Sequence, residues 1–382
     1  MLKVFKKNWV LISLVFLLIA LGMVFIYSAS SYSASVRYDD SFYFVKKQII
    51  GFVMGLCVML FFVNFNYANF VKLKWWVVLV SVALLVLVFI PGIGRNNLGA
   101  NRWITIGGFS LQSSEVAKFG FVIFSACYLA KNYDKTKTFM GVLPIMAVGG
   151  LICLLILLEP NLSVTLRVGM VMLIMLIIGG MRAKHFLLIL IPAICLVPIL
   201  IIIEPYRLQR LVAFLDPWAS PKEEGFQLIQ SLYALGSGGL FGVGLFNSRQ
   251  KYLFLPFSES DFIFSIIGEE LGFVGCVLVI IIYGIIISKG IKIALNATDR
   301  LGCYMAAGIT SVIAVQLLIN IAVVTGSIPP TGIPLPFMSA GGTSLMVFMG
   351  AVGILLNISK TEQKSFNFNV FKLKKENKKV VA

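Results

Sequence analysis

The 382 residues are 59% apolar and only 13% charged, where soluble domains run roughly 45–50% and about 25%, which excludes an ordinary soluble fold and implies an integral membrane protein. The six cysteines all fall in apolar stretches with no CxxC spacing, so neither a disulfide frame nor a zinc site is expected, and they read as small buried hydrophobes. The net charge is +16, and its placement along the chain decides what it means.

Ten stretches are long enough to cross about 30 Å of hydrocarbon, which takes about 20 residues each. With approximate ends they are 9–28, 47–64, 73–91, 114–131, 139–158, 162–181, 185–203, 262–288, 301–325 and 338–358. The first follows Lys3, Lys6 and Lys7 and precedes SASSYSAS, which imitates a secretory signal with its small-residue cleavage site. A run longer than a signal core and nine further spans favour a retained helix. With a cytoplasmic N-terminus and alternating sides, the cytoplasmic segments hold 20 Lys and Arg, seven of them tail lysines, against Asp134, Asp299, Glu362 and Glu376; this face carries the whole +16. That is the positive-inside pattern, so the charge reports topology and no nucleic-acid partner is expected. The expected fold is an all-α polytopic membrane protein of about ten transmembrane helices, with both termini cytoplasmic. One membrane domain covers 1–360, with a large extracellular loop at about 204–261 between helices 7 and 8, and a basic cytoplasmic tail over 361–382 could rest on anionic lipid.

Most connections are short, as in a compact bundle. The long loop contains Pro205, Pro217, Pro221, Pro256, the apolar stretch FQLIQSLYAL and the cluster GSGGLFGVGLF; part of it is expected to lie helical against the membrane surface, and function is expected there. A second outer segment, GSIPPTGIPLPFMSAGG, is too rich in proline and glycine for a helix, and at membrane depth such backbone needs protein or water cover.

The only histidine, His185, lies on the cytoplasmic side, so no Ser-His-Asp or Cys-His set can form at the outer face and no histidine metal site is expected there. A GxxxxGK[ST] motif is absent, so nucleotide hydrolysis is not expected. Outer-face chemistry must then rest on carboxylates and cations. Glu115 and Lys118 are three apart at the start of the fourth span, on one helix face, and serve either as a structural clasp or in a substrate role. In SESDFIFSIIGEELGF, Asp261 stands at the outer mouth of an apolar run that carries Glu269 and Glu270. Asp261 and Glu269 are about 12 Å apart along a helix, and Glu270 points to nearly the opposite side, so they do not form a glycosidase-type carboxylate pair. Asp261 either meets a water-borne or head-group substrate or only caps its helix. Arg102, Arg207, Arg210, Arg249 and Lys251 supply outer cations, for phosphate or for lipid head groups. The glycine cluster could offer amides to a phosphate, Arg167 could snorkel outward, and Gln316 and Asn320 read as interhelical hydrogen-bond glue.

Several strings together resemble the SEDS family (shape, elongation, division and sporulation): YSASS, ANRWITIGGFSLQSSEVAKF, LLEPNL, RLVAFLDPW, FQLIQSLYALGSGGLFGVGL, QKYLFLP, DFIFSIIGEELGF and NIAVVTGSIPPTGIPLPFMSAGGTSL. The resemblance covers about residues 10–358, and its last string is closer to the division and sporulation branch. It implies a ten-helix peptidoglycan glycosyltransferase of the bacterial plasma membrane that polymerises lipid II at the outer face and releases undecaprenyl pyrophosphate. It also implies a class B penicillin-binding protein, a transpeptidase, as partner, alongside other division or elongation proteins. The family's essential aspartate falls on Asp261, its Glu-Lys pair on Glu115 and Lys118, and its arginine before Trp-Ile on Arg102. The chain departs from the family at Asn161 and Ser163, where EPDLGT is usual, at Ser113 in place of a proline, and at Phe257 where an acid is common.

On this reading Asp261 is the general base for the acceptor 4-hydroxyl, raised in pKa by its semi-desolvated position. Arg102, Arg207, Arg210, Lys118, Lys251 or a divalent cation, Mg²⁺ or Mn²⁺, would meet the leaving pyrophosphate. Two rival classes remain. One is a lipid II flippase, with Glu115, Lys118, Glu269 and Glu270 lining a path; the other is a non-catalytic scaffold for a transpeptidase.

Overall fold

The computed structural model describes residues 2–92, 94–97, 100–106 and 109–361; the basic tail expected over 361–382 lies outside these residues apart from residue 361. In chain order the helices are α1 (Leu2–Lys7), α2 (Trp9–Tyr38), α3 (Tyr43–Asn64), α4 (Phe70–Leu87), α5 (Ser113–Lys131), α6 (Phe139–Leu158), α7 (Leu162–Ile178), α8 (Ala183–Ile202), α9 (Pro205–Leu215), α10 (Phe226–Gly238), α11 (Ile263–Leu295), α12 (Arg300–Val324) and α13 (Gly342–Ile358). Helices α2 to α8 and α11 to α13 fall on the ten expected spans. By length and hydropathy alone, seven helices qualify as membrane-crossing. Of the other three, α7 and α13 have 17 residues each and α5 carries Glu115 and Lys118 in its first turns. The protein is a multi-pass, helical membrane protein.

Helix α2 runs ten residues past the expected end of the first span, straight through SASSYSAS. The small residues that imitate a cleavage site are a packing surface, since Ser28, Ala29, Ser30, Ser33 and Ala34 are all buried, as interfaces between membrane helices require. Helices α3 and α13 pack closely for the same reason: a Cβ on Gly51 would collide with the Gly342 Cα, and Gly55 meets Met346 and Met349. The cysteines only partly match the buried reading, for Cys127 is buried while Cys57 and Cys195 are exposed on the flanks of the bundle.

Two features of the connections were not expected from the sequence. Between α4 and α5 the chain forms an antiparallel sheet, β1 (Gly94–Asn97), β2 (Ala100–Ile106) and β3 (Phe109–Gln112), in the order β1-β2-β3. Strand β3 leads directly into α5, and the Ser110 carbonyl is held by the Thr343 hydroxyl at the start of α13, so the sheet fixes the entry of the helix that carries Glu115.

The second is the packing of α10, the helix expected in FQLIQSLYAL, against another helix. Ser231 bonds Ser265 at 2.8 Å, Leu235 meets Gly268, and Gly238 packs on Gly268 and Glu269, so α10 runs alongside the first half of α11 in the same direction. The helix lying open on the outside is α9, with Tyr206, Leu208, Val212 and Leu215 exposed.

Beyond α10 the glycine cluster inserts into α11. At Gly272, where φ is 69°, α11 is broken. An intact helix would pair the amides of Phe273 and Val274 with the carbonyls of Glu269 and Glu270. Here Val243 N and Gly244 N take those carbonyls at 2.9 and 3.1 Å, while Phe273 N and Val274 N donate to Gly239 O and Leu240 O at 2.9 and 3.1 Å. These four groups freed by the break are repaired by the inserted turn, as non-helical backbone in a membrane requires. Two of the amides suggested as a phosphate cradle, those of Val243 and Gly244, are therefore consumed by α11, and a third, Gly242 N, is taken by Gly238 O.

Candidate active site

Asp261 sits in the turn that leads into α11 and is partly exposed. Its backbone is pinned: Asp261 O accepts from Asn320 Nδ2 at 2.9 Å, and the neighbouring Ser260 O accepts from Ser339 Oγ at 2.5 Å. The backbone of Gly332, at φ 62°, lies so close that a Cβ there would be 3.3 Å from Asp261 Oδ2. The carboxylate itself has no hydrogen bond or ion pair among the described residues. Desolvation in this cleft, with the Glu259 charge next in importance, pushes its pKa up to about 7, against the weaker pull of Arg210 and Arg167. A carboxylate that is held by its backbone, unpaired and titrating near neutrality has the properties of a general base. No side-chain cap to the α11 amides exists, which removes the reading of Asp261 as a mere helix cap.

Glu115 and Lys118 meet, as their spacing implied, but within a larger buried cluster. Glu115 accepts from Lys118 Nζ at 3.1 and 3.0 Å, from Arg167 Nη2 at 2.9 Å and from Ser344 Oγ at 3.0 Å. Gln316 Oε1 accepts from Lys118 Nζ at 2.9 Å and Arg167 Nη1 at 2.5 Å. Arg167 does not snorkel outward; it is 1% exposed and turned into the bundle. Lys118 and Arg167 share one carboxylate and one amide oxygen, so the cluster joins α5, α7, α12 and α13. The Gln316 amide nitrogen then donates to Pro334 O at 2.8 Å, which ties the cluster to the proline-rich loop facing Asp261.

Glu269 and Glu270 are engaged elsewhere. Glu269 accepts from Ser248 Oγ at 2.5 Å and from the amides of Arg249 and Gln250 at 2.9 and 3.4 Å. Glu270 accepts from Ser28 Oγ at 2.5 Å and from Ser248 N at 3.3 Å, with Lys251 Nζ 3.8 Å away. Both acids anchor the returning loop 248–251 against the break in α11.

The outer cations are mostly committed too. Arg102 donates to the carbonyls of Glu159 and Pro160 at 3.2 and 2.5 Å, and Arg207 to Tyr206 Oη and Leu200 O at 3.1 and 2.8 Å. Lys251 is buried on Phe246 O. Arg210 is the most open of the four candidates, in a loose pair with Glu224 at 3.6 Å, and its charge acts on Asp261. Next to Arg102, the buried carboxyl of Glu159 accepts from Ser113 Oγ at 3.2 Å and leaves Oε2 without a partner; desolvation pushes its pKa up to about 8.

Two clefts flank these groups. One of about 750 Å³ lies between α10 and the returning loop, lined by Tyr233, Ser237, Asn247, Arg249, Gln250 and Glu269 but not by Asp261. The other, about 350 Å³, is an apolar groove between α3, α4, α5 and α13, lined by Phe62, Trp76, Phe119, Ile123 and Met346 among others. Phe119 borders the ion cluster, with Lys118 Nζ 5.3 Å from its ring.

The family model FtsW/RodA/SpoVE, described as "Cell cycle protein", matches residues 8–364. The chain belongs to this family. It is 41% identical over 357 residues to stage V sporulation protein E of Bacillus subtilis, covering 93% of this chain and 97% of that one. It is 38% identical to a probable peptidoglycan glycosyltransferase FtsW of a Geobacter species, covering 92% and 96%. Among solved structures, one described as a peptidoglycan synthase complex that coordinates polymerization and crosslinking superposes with a TM-score of 0.76 at 26% identity, covering 94% of this chain and 98% of that one. The rod shape determining protein RodA of Thermus thermophilus shares the fold, with a TM-score of 0.68 at 24% identity and coverage of 94% and 98%.

In this FtsW/RodA/SpoVE family member, sequence reasoning paired Glu115 with Lys118 but turned Arg167 outward and missed Ser344 and the loop contacts of Gln316 and Asn320. For Arg167 a signal existed: a lone arginine inside an apolar helix calls for a buried partner. For Asn320 only the fold supplies the partner, since Asp261 is 59 residues away.

Proposed function

We propose that this chain is a peptidoglycan glycosyltransferase that polymerises lipid II at the outer face of the plasma membrane, with Asp261 as general base. The observation that carries the reading is the Asp261 carboxylate: backbone-pinned, unpaired, partly open and titrating near 7. Asp261 takes the proton from the 4-hydroxyl of the acceptor sugar as that oxygen bonds to the donor's anomeric carbon. The bond from that carbon to the pyrophosphate breaks, its electron pair leaves with the lipid pyrophosphate, and configuration inverts. Arg210, open and within the field of Asp261, and the buried Arg167, whose charge also acts there, stabilise the leaving charge. The apolar groove beside Phe119 suits an isoprenoid tail.

A divalent cation fits the donor set only modestly. Among the described residues no group of three His, Cys, Asp or Glu gathers, so substrate phosphates and water would be most of its ligands, as is usual for Mg²⁺. Such an ion would supply charge neutralisation at the pyrophosphate.

A flippase is the weaker reading, because Glu115, Lys118, Glu269 and Glu270 are held in protein contacts instead of lining a continuous path. The relatives' names and the synthase-complex match support a transpeptidase partner, and we take that partner to be a class B penicillin-binding protein. Purified full-length protein with lipid II should give glycan polymer, and Asp261→Asn should give none. A polymerising Asp261→Asn protein would end the assignment of the base, and lipid II translocation without polymer would favour the flippase.

A further inference from the structure

The proline-rich loop that walls in Asp261 cannot fix itself. Residues 327–336 include Pro329, Pro330, Pro334 and Pro336, so four amide donors are missing. Side chains from neighbouring helices hold its carbonyls instead: Ile333 O takes Asn320, Pro334 O takes Gln316 and Pro336 O takes the Tyr283 hydroxyl. Of the three, Asn320 also reaches the reacting residue. Its Nδ2 donates to Ile333 O at 2.8 Å and to Asp261 O at 2.9 Å, so one amide fixes both walls of the cleft to a single point on α12.

The orientation of that amide is determined. Two carbonyl oxygens face the nitrogen, so Oδ1 must turn away, and there it is buried without a partner. A buried orphan acceptor costs stability that an aliphatic side chain would not; the two donated bonds are what the position requires. Next to Ile333 lies Gly332, where an added Cβ would come within 3.3 Å of Asp261 Oδ2.

Building on the glycosyltransferase reading, we infer that Asn320 is a positioning residue, holding Asp261 and the loop around Gly332 together so that the base meets the acceptor hydroxyl at one distance. Without its two bonds the loop and Asp261 move independently, and more water reaches the carboxylate. The charges that face Asp261 are Glu259 from its own segment, Arg210 from α9 and Arg167 from α7, with Arg37 beside Glu259. None of them is bonded by Asn320, so its loss acts on Asp261 through hydration and position.

The test measures kcat and KM for lipid II polymerisation across pH on full-length wild type, Asn320→Leu, Asn320→Ser and Asp261→Asn, with thermal unfolding alongside. Asn320→Leu keeps size and removes the donor; Asn320→Ser removes the amide without bulk and carries the test should the leucine variant not fold. Both are expected to lower kcat roughly 10²-fold, the scale of a misplaced reacting group, to leave KM unchanged, and to move the acid limb of the kcat profile to lower pH as Asp261 becomes hydrated. Wild-type rates in the Asn320 variants, a loss with an unmoved acid limb, or a parallel rise in KM would each overturn the positioning role while wild type stays active and Asp261→Asn inactive. A wild type that makes no polymer, or an active Asp261→Asn, would overturn the glycosyltransferase reading itself.

Discussion

Glu115 and Asp261 are each linked to one proline-rich loop through an α12 amide, Glu115 by way of Lys118 and Gln316, and Asp261 through its backbone carbonyl on Asn320, and they are treated in opposite ways. Glu115 accepts four hydrogen bonds from three side chains and is buried to 1% exposure; its charge is spent on holding α5, α7 and α13 together. Asp261 accepts none, keeps solvent access and is fixed only through its backbone. A buried charge that is fully bonded is structure, because removing a partner strands the others. A carboxylate left unbonded in a tight cleft weakens the fold and is free to react.

Crossed substitutions give the largest effects. Asp261→Asn should reduce polymerisation by about 10²- to 10⁴-fold, the usual contribution of a positioned base, without loss of stability. Its raised folded-state pKa means that the folded protein holds a proton more tightly than the unfolded chain, so the group opposes folding increasingly as pH rises from the ordinary carboxylate range to about 7, and fully above that. Unfolding in detergent above pH 7 should therefore show Asp261→Asn as stable as wild type or more so, while wild-type kcat rises with pH through about 7. Glu115→Gln should do the reverse to the fold, costing about 3–5 kcal/mol by leaving Lys118 and Arg167 buried without their anion. Equal stability losses in the two variants would erase the distinction between the carboxylates.

A third variant separates scaffold from site on α11 itself. At Gly272 a Cβ would collide with Gly242 N at a φ of 69°, so Gly272→Ala should cost about 1–3 kcal/mol in backbone strain and more if the inserted turn is expelled. Thermal unfolding reads the loss. Any residual protein should keep the acid limb of its activity profile, because Asp261 lies on the other side of the Glu269 and Glu270 anchor.

The apolar helices were legible because a hydrocarbon-crossing helix is a long one-dimensional signal. The positions of Asp261, Glu115 and Lys118 were legible because charge is rare in such runs. The sheet at residues 94–112 was hidden by strands of four to seven residues, too short for a periodicity reading. FQLIQSLYAL has the same apolar face whether it meets lipid or α11, so sequence placed α10 on the membrane and the fold placed it on Ser265 and Gly268. The inward turn of Arg167 and the grip of Glu269 on residues 248–250 depend on partners 52 and about 20 positions away, which local pattern does not contain.

The smallest expected effect tests whether Asp261 stands alone as the functional acid in the outer half. The chain has Asn161 where the family commonly has aspartate, and in the fold that side chain caps α7, accepting from Val164 N at 3.3 Å. Asn and Asp are nearly equivalent caps. An ionised aspartate in its place would gain from the α7 dipole, on the order of 0.3–1 kcal/mol, and would lose part of that to desolvation at a site only 7% exposed. Asn161→Asp should therefore change unfolding free energy by less than about 1 kcal/mol and leave polymerisation and its acid limb near wild type. If the substitution instead raised kcat about tenfold, worth about 1.4 kcal/mol of barrier, the position would serve the chemistry as well as the cap. The contrast would then lie between Glu115 and a pair of outer acids instead of Asp261 by itself.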